Sequence, residues 1–231
     1  MNNNLVKALF YVYGLAWLLG GLLYTGAHMI SPISFSHSII YTPEIASHFM
    51  QKLQPYWAYY AWSFIIFTIA DMAVMLLGLA FRYIFGTNFY TNVAVFCFFA
   101  AGFTGVMVDL NLLACWFLMG TFKLPPEILQ NFWSTFLVIQ SHSAILIAWG
   151  FLIGSLGVYL VYKASRQSKI IVNSHWIKWT LVIFWLNILA VIALIYGLIT
   201  TDSIPIAVIL MIFMIFAAPI WSFLMIRTLK N

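Results

Sequence analysis

Residues 57–85 read WAYYAWSFIIFTIADMAVMLLGLAFRYIF, an apolar run interrupted by one acid, Asp71, and closed by one cation, Arg82. A bilayer core about 30 Å thick is crossed by roughly 20 apolar residues in a helix, because backbone groups left unpaired in hydrocarbon are too costly for irregular chain. This run meets that requirement with residues to spare. Working outward from it, five more segments qualify: Leu5 to Met29 before it, and Asn92 to Met119, Phe132 to Tyr162, Trp176 to Thr200 and Pro205 to Ile226 after it. The sequence predicts an all-α polytopic membrane protein of six spans, forming a single domain over residues 1–231.

Composition agrees with that reading. The chain is 65% hydrophobic and 6% charged, with a mean hydropathy of +1.02. So few ionic groups cannot coat a soluble surface, and so much Phe, Trp, Ile and Leu does not suit disorder. Soluble enzymes, secreted disulfide scaffolds and nucleic-acid modules are excluded; the expected partner is membrane lipid. The stretches between spans are the polar Ile30 to Tyr56, the turn Gly86-Thr87-Asn88, Gly120 to Asn131, the basic link Lys163 to His175, and Thr201-Asp202-Ser203. None is long enough for a soluble domain. The first span is read as a retained helix rather than a cleaved signal, since it exceeds a typical signal core and Thr25-Gly26-Ala27 is a poor cleavage site.

Cations near span ends are retained on the cytoplasmic side. With the N-terminus inside, Lys7, Arg82, Lys163, Arg166, Lys169, Lys178, Arg227 and Lys230 fall inside, and only Lys52 and Lys123 outside. Both termini are therefore expected in the cytoplasm, and the net charge of +5 is explained by insertion and by anionic lipid. Glu44, Glu127 and Asp202 fall outside, which leaves Asp71 and Asp109 within the spans.

The outer connections carry two helical signals. Thr42-Pro43-Glu44 reads as a cap with proline at the first helical position, opening a stretch in which Ile45, Phe49 and Leu53 recur every four residues. Pro125-Pro126-Glu127-Ile128-Leu129-Gln130 is a shorter candidate. These segments either close helix ends or form an interfacial lid over an outward-facing cavity. His37 and His48 do not match a zinc-ligand spacing and are read as solvated, and no metal is expected. Cys97 and Cys115 lie about 27 Å apart along one span at helical rise, too far to bridge, and read as small packing residues.

A charge at the bilayer centre costs about 2.5 to 3.5 kcal/mol even on insertion scales, so acids there should face protein or a cavity. At 1.5 Å per residue, Asp71 lies about 21 Å, Asp109 about 15 Å and His142 about 15 Å from the outer ends of their spans. Three ionisable groups from three helices are thus expected to converge, with Gln140 and Asn111 as further hydrogen-bonding groups at that level. Gly102, Gly105 and Asp109 share one helical face, and Thr68, Asp71, Met75 and Gly78 form a comparable stripe. Gly14, Trp17, Gly21, Tyr24 and His28 make a third, placing His28 at its outer end. The fourth span offers two: Ser143, Gly150, Gly154 and Gly157 for packing, and His142 with Trp149. The last two spans offer only Asn187 and a kink at Pro219, and are read as scaffold.

The whole chain resembles the bacterial six-helix family catalogued as domain of unknown function 4386. That resemblance rests on length, on the long outer first connection, on Ile66-Phe67-Thr68-Ile69-Ala70-Asp71 leading to Arg82, and on Gly150-Phe151-Leu152-Ile153-Gly154 before the basic link. It implies the bacterial inner membrane and supplies no activity or site. The fourth span, with Gln140-Ser141-His142-Ser143, Trp149-Gly150 and Tyr159-Leu160, is similar to histidine-bearing helices of haem-copper oxidase subunit I relatives, whose remaining histidines are absent here.

Three functions fit. The first is a non-enzymatic membrane protein with an outward-facing site for a small ligand, proton or ion, formed by Asp71, Asp109, His142, Gln140, Asn111 and His28. The second is a structural or accessory subunit, in a homo-oligomer or a membrane complex, whose polar cluster only fixes packing. The third is a haem protein using His28 and His142, although their depths differ by about 15 Å; no cofactor is otherwise expected. No Ser-His-acid order, nucleotide loop, His-Glu-x-x-His pair or CxxC occurs.

Overall fold

The structure, a computed structural model, describes residues 2–30, 54–121, 126–168, 173–200 and 204–229. Among them it is all-helical: α1 (Asn3–Ile30), a 3-10 turn (Gln54–Tyr56), α2 (Trp57–Phe85), α3 (Phe89–Thr121), α4 (Pro126–Gln167), α5 (Ser174–Thr200) and α6, which runs from Ile204 to Thr228 through a π-helical turn at Phe213–Ala217. All six helices are long and apolar enough to cross a membrane. The stretch 31–53, with the expected interfacial helix, His37, His48 and Lys52, lies outside the described residues, as do Lys123 and Asp202.

Local chemistry explains where the helices stop. The Asn2 side chain caps α1, its Oδ1 accepting from the Leu5 N–H at 2.8 Å. Gly86 ends α2 with φ +79°, a conformation a β-carbon disfavours. Two residues on, Asn88 and Thr91 cap α3 reciprocally: the Thr91 N–H donates to Asn88 Oδ1 at 3.0 Å, and the Asn88 N–H to Thr91 Oγ1 at 3.0 Å. This cap starts α3 at Phe89, three residues before the expected Asn92, and ties α2 to α3 in a tight antiparallel hairpin. Asn173 caps α5 through the His175 N–H at 2.9 Å.

The fourth helix is the clearest departure from expectation. It runs for 42 residues, well past Phe132 to Tyr162 on both sides. At about 1.5 Å per residue this far exceeds a hydrocarbon core, so its ends project beyond the apolar segment. The second candidate interfacial helix is corrected accordingly: Pro126 opens α4 itself, at the position where its missing N–H has no helical partner to lose. Hydropathy marks where a helix is apolar, not where a polar helix continues.

The helices form a closed ring in chain order, each packing on its neighbours, with α6 returning against α1. The π turn lies four residues before Pro219, where the proline ring would crowd the carbonyl of residue 215, inside the widened turn. On the side of the chain termini the ring is plugged by aromatics: Phe10, Phe81, Trp176 and Trp221 are essentially fully buried, with Phe10–Phe81 centroids at 5.5 Å and Trp176–Trp221 stacked at 5.9 Å. Trp221 Nε1 donates to Thr180 Oγ1 at 2.8 Å, and the Thr180 hydroxyl donates to the Trp176 carbonyl at 2.9 Å. Toward the other end Tyr24 meets Tyr60 at 5.7 Å, and Tyr60 stacks on Trp116 at 4.1 Å. Outward faces are mostly apolar among the described residues, with Phe96, Trp149 and Ile192 more than half exposed.

Candidate functional site

Between the two aromatic layers lies a cavity of about 210 Å³ to which all six helices contribute. That exceeds a cavity of about 150 Å³ known to admit benzene. Helical periodicity sets its wall. On α2 the cavity face is Phe64, Phe67, Asp71 and Val74; on α3 it is Phe98, Ala101, Gly105, Val108 and Asp109. Gly150, Phe151 and Gly154 of α4 face the same space, as do Tyr13, Trp17 and Tyr24 of α1.

Asp71 stands midway along α2, fourteen residues from either end. It lies on the edge between the cavity face and the α2–α3 seam. Gly102 and Gly105 of α3 make that seam possible: a β-carbon at Gly102 would overlap the Asp71 carbonyl oxygen, and one at Gly105 would overlap the Asp71 carboxyl. Met75 and Gly78, expected on the same stripe as Asp71, lie in the seam, Met75 against Gly102 and Gly78 against Val95. Thr68 does not line the cavity; its hydroxyl donates to the Phe64 carbonyl at 2.9 Å.

One turn beyond Gly105, Asp109 brings its carboxyl within hydrogen-bonding reach of that of Asp71. An ionised carboxylate only accepts, so a hydrogen bond between the two would place a proton on one of them. Asp71 is 9% and Asp109 6% exposed, and Asp109 Oδ2 has no hydrogen-bond partner among the described residues. Asn187 of α5 also lines the cavity, with its Oδ1 unpartnered, and so does Trp17, whose Nε1 is unpartnered. A buried polar group without a partner costs about 1–3 kcal/mol, so this wall is unusually receptive to a hydrogen-bonding guest.

The structure brings together Asp71 and Asp109 but not His142, and the expected three-way convergence is corrected to two. His142 is exposed, on the outward stripe with Trp149, whereas the neighbouring Ser143 is buried on the inward face. Consecutive helical residues are about 100° apart, so one position decides which stripe faces in. Asn111 is half-buried and does not line the cavity. Gln140 and His28 lie within α4 and α1, with side chains outside the described set. Among the described residues no group of three or more His, Cys, Asp and Glu is positioned to hold a metal ion.

The scaffold reading of the last two spans is also corrected: Ile183, Asn187, Leu210, Phe213, Met214 and Trp221 form one side of the cavity. Asn187 was visible in the sequence as an isolated amide in an apolar span; that it lines the same cavity as the acids follows only from ring closure. Of the third stripe, Trp17 and Tyr24 face the cavity, while Gly14 packs on Ser222 and Gly21 on Met214 of α6. No protein-family model, curated protein or solved structure matches the chain.

Proposed function

We propose that the protein is a non-enzymatic multi-pass membrane protein that binds a small ligand in this central cavity, with the Asp71–Asp109 pair linking occupancy to proton or ion movement. The observation that carries the reading is the meeting of two buried carboxyls from adjacent helices in the wall of one apolar cavity, with one carboxyl oxygen unpartnered. Acids inside apolar helices are expensive, and they are retained where they serve a site. Membrane insertion is supported by six sufficiently long helices with apolar outer faces, which water would not tolerate over so continuous a surface.

The cation distribution favours cytoplasmic termini. In that orientation the aromatic plug of Phe10, Phe81, Trp176 and Trp221 closes the cytoplasmic side, and a ligand from outside would pass the layer of Tyr24, Tyr60 and Trp116. The bacterial inner membrane is the location implied by the resemblance to the six-helix family. Purified protein in proteoliposomes should support a proton or ion flux that Asp71→Asn and Asp109→Asn abolish; no flux in the parent, or an unchanged flux in both variants, rejects the transport reading.

A structural role is the competing account, favoured by the adjacency of the two carboxyls and the close seating of Asp71 against Gly105. It predicts that both asparagine variants alter stability alone.

A further inference from the structure

We propose that the cavity takes a small organic cation, an ammonium group carried on an apolar body; this assignment rests on the ligand-binding reading above. The polar atoms it offers are mostly acceptors. Asp109 and Asn187 line the cavity, each with a buried oxygen that has no hydrogen-bond partner among the described residues, and Asp71 lines it with them. No Lys, Arg or His lines the cavity among the described residues. With two carboxyls in the wall and no cationic side chain among the described lining residues, a positive charge is what the site can neutralise.

The remaining wall decides between a metal ion and an organic cation. A hard cation such as calcium takes about six to eight oxygen ligands, and magnesium near-ideal octahedral geometry. Two carboxyls and one amide cannot supply that shell, and apolar side chains fill the rest. Several of those side chains are aromatic: Tyr13, Trp17, Tyr24, Phe67, Phe213 and Trp221 surround the same space as the acids. Aromatic faces attract ammonium groups, most strongly where water is excluded, and they pack against an apolar body at the same time. Acid, aromatic wall and volume together select a compact monovalent amine. An anion would meet the carboxyls with no compensating cation.

The test is calorimetric titration of the full-length protein in lipid nanodiscs at neutral pH, with empty discs subtracted, using benzylammonium, benzyl alcohol and benzoate. These probes share a ring and differ in charge. Benzylammonium should bind saturably and about tenfold or more tighter than benzyl alcohol, with benzoate weakest. Asp109→Asn should bring benzylammonium down to the affinity of benzyl alcohol and leave the alcohol unchanged. Trp17→Leu, which keeps both acids, should weaken the cation more than the alcohol. Equal binding of benzylammonium and benzyl alcohol by the parent overturns the cation assignment while leaving a ligand cavity in place. Preference for benzoate, or no saturable binding of benzylammonium, overturns it as well. The parent comparison decides the matter even if a variant does not fold, and the flux measurement tests the wider reading separately.

Discussion

Gly105 of α3 packs its backbone directly against the carboxyl of Asp71 on α2, so closely that a β-carbon at position 105 would occupy the space of the carboxyl itself. The glycine therefore allows two helices to touch at the point where an acid must be seated. It holds Asp71 within reach of Asp109, one turn further along α3.

Gly105→Ala is expected to displace the Asp71 carboxyl and destabilise the protein by about 1–3 kcal/mol, the usual cost of overfilling a packed site. Gly150→Ala is the control, because the nearest atom to its added carbon is 3.7 Å away. That variant should stay within about 1 kcal/mol of the parent, on the stable side if helix propensity dominates. Thermal melts in detergent followed by size-exclusion recovery distinguish the two; equal melting temperatures would count against the seating of Asp71 described here.

Asp109→Asn preserves a hydrogen-bonding partner for Asp71, whereas Asp109→Leu leaves the Asp71 carboxyl alone in an apolar wall. The leucine variant should be the less stable by about 1–3 kcal/mol. A leucine variant as stable as the asparagine one would mean that the mutual bond contributes little.

At the plug, Thr180→Val keeps the shape of the side chain and removes the acceptor of the Trp221 Nε1 bond. It should cost about 1–3 kcal/mol by leaving a buried donor unpartnered, and adding Trp221→Phe should recover part of that loss. A double-mutant cycle on melting free energies measures the coupling, which is expected to be non-zero.

His142→Gln should change stability by less than about 0.5 kcal/mol, since the side chain is exposed and outside the cavity. Probe affinity should also match the parent. A substantial loss of binding would bring His142 back to the site.

Cys97 and Cys115 are both buried, so a membrane-impermeant maleimide should not label the native parent protein. An Asn2→Cys variant should be labelled in inside-out vesicles and spared in intact cells if the N-terminus is cytoplasmic. Labelling from outside the cell would reverse the proposed orientation.

Much of the helical layout was legible because each helix needs a long apolar run, and that requirement is local. Trp57 to Phe85 matches α2 end to end, and Gly86-Thr87-Asn88 is the turn the residues suggest. The ends of α4 were not legible, because polar residues continue a helix that hydropathy no longer tracks. The site was partly legible: an acid within an apolar helix has to find a polar neighbour or a cavity, and Gly102, Gly105 and Asp109 marked the face on which α3 meets α2. His142 was misplaced because depth along a helix says nothing about rotation around it.

By itself, then, the sequence determined six apolar helices, their order, the tight α2–α3 hairpin and the need to shelter Asp71 and Asp109, since each follows from the cost of placing a chain segment or a charge in hydrocarbon. Only the tertiary structure decided that the helices close into a ring, that Asn187 and Trp221 from the far side of the chain join the acids around one cavity, and that His142 faces away. Those outcomes depend on how each helix is rotated and paired, and that is set by side chains fitting against neighbours distant in sequence rather than by any local pattern.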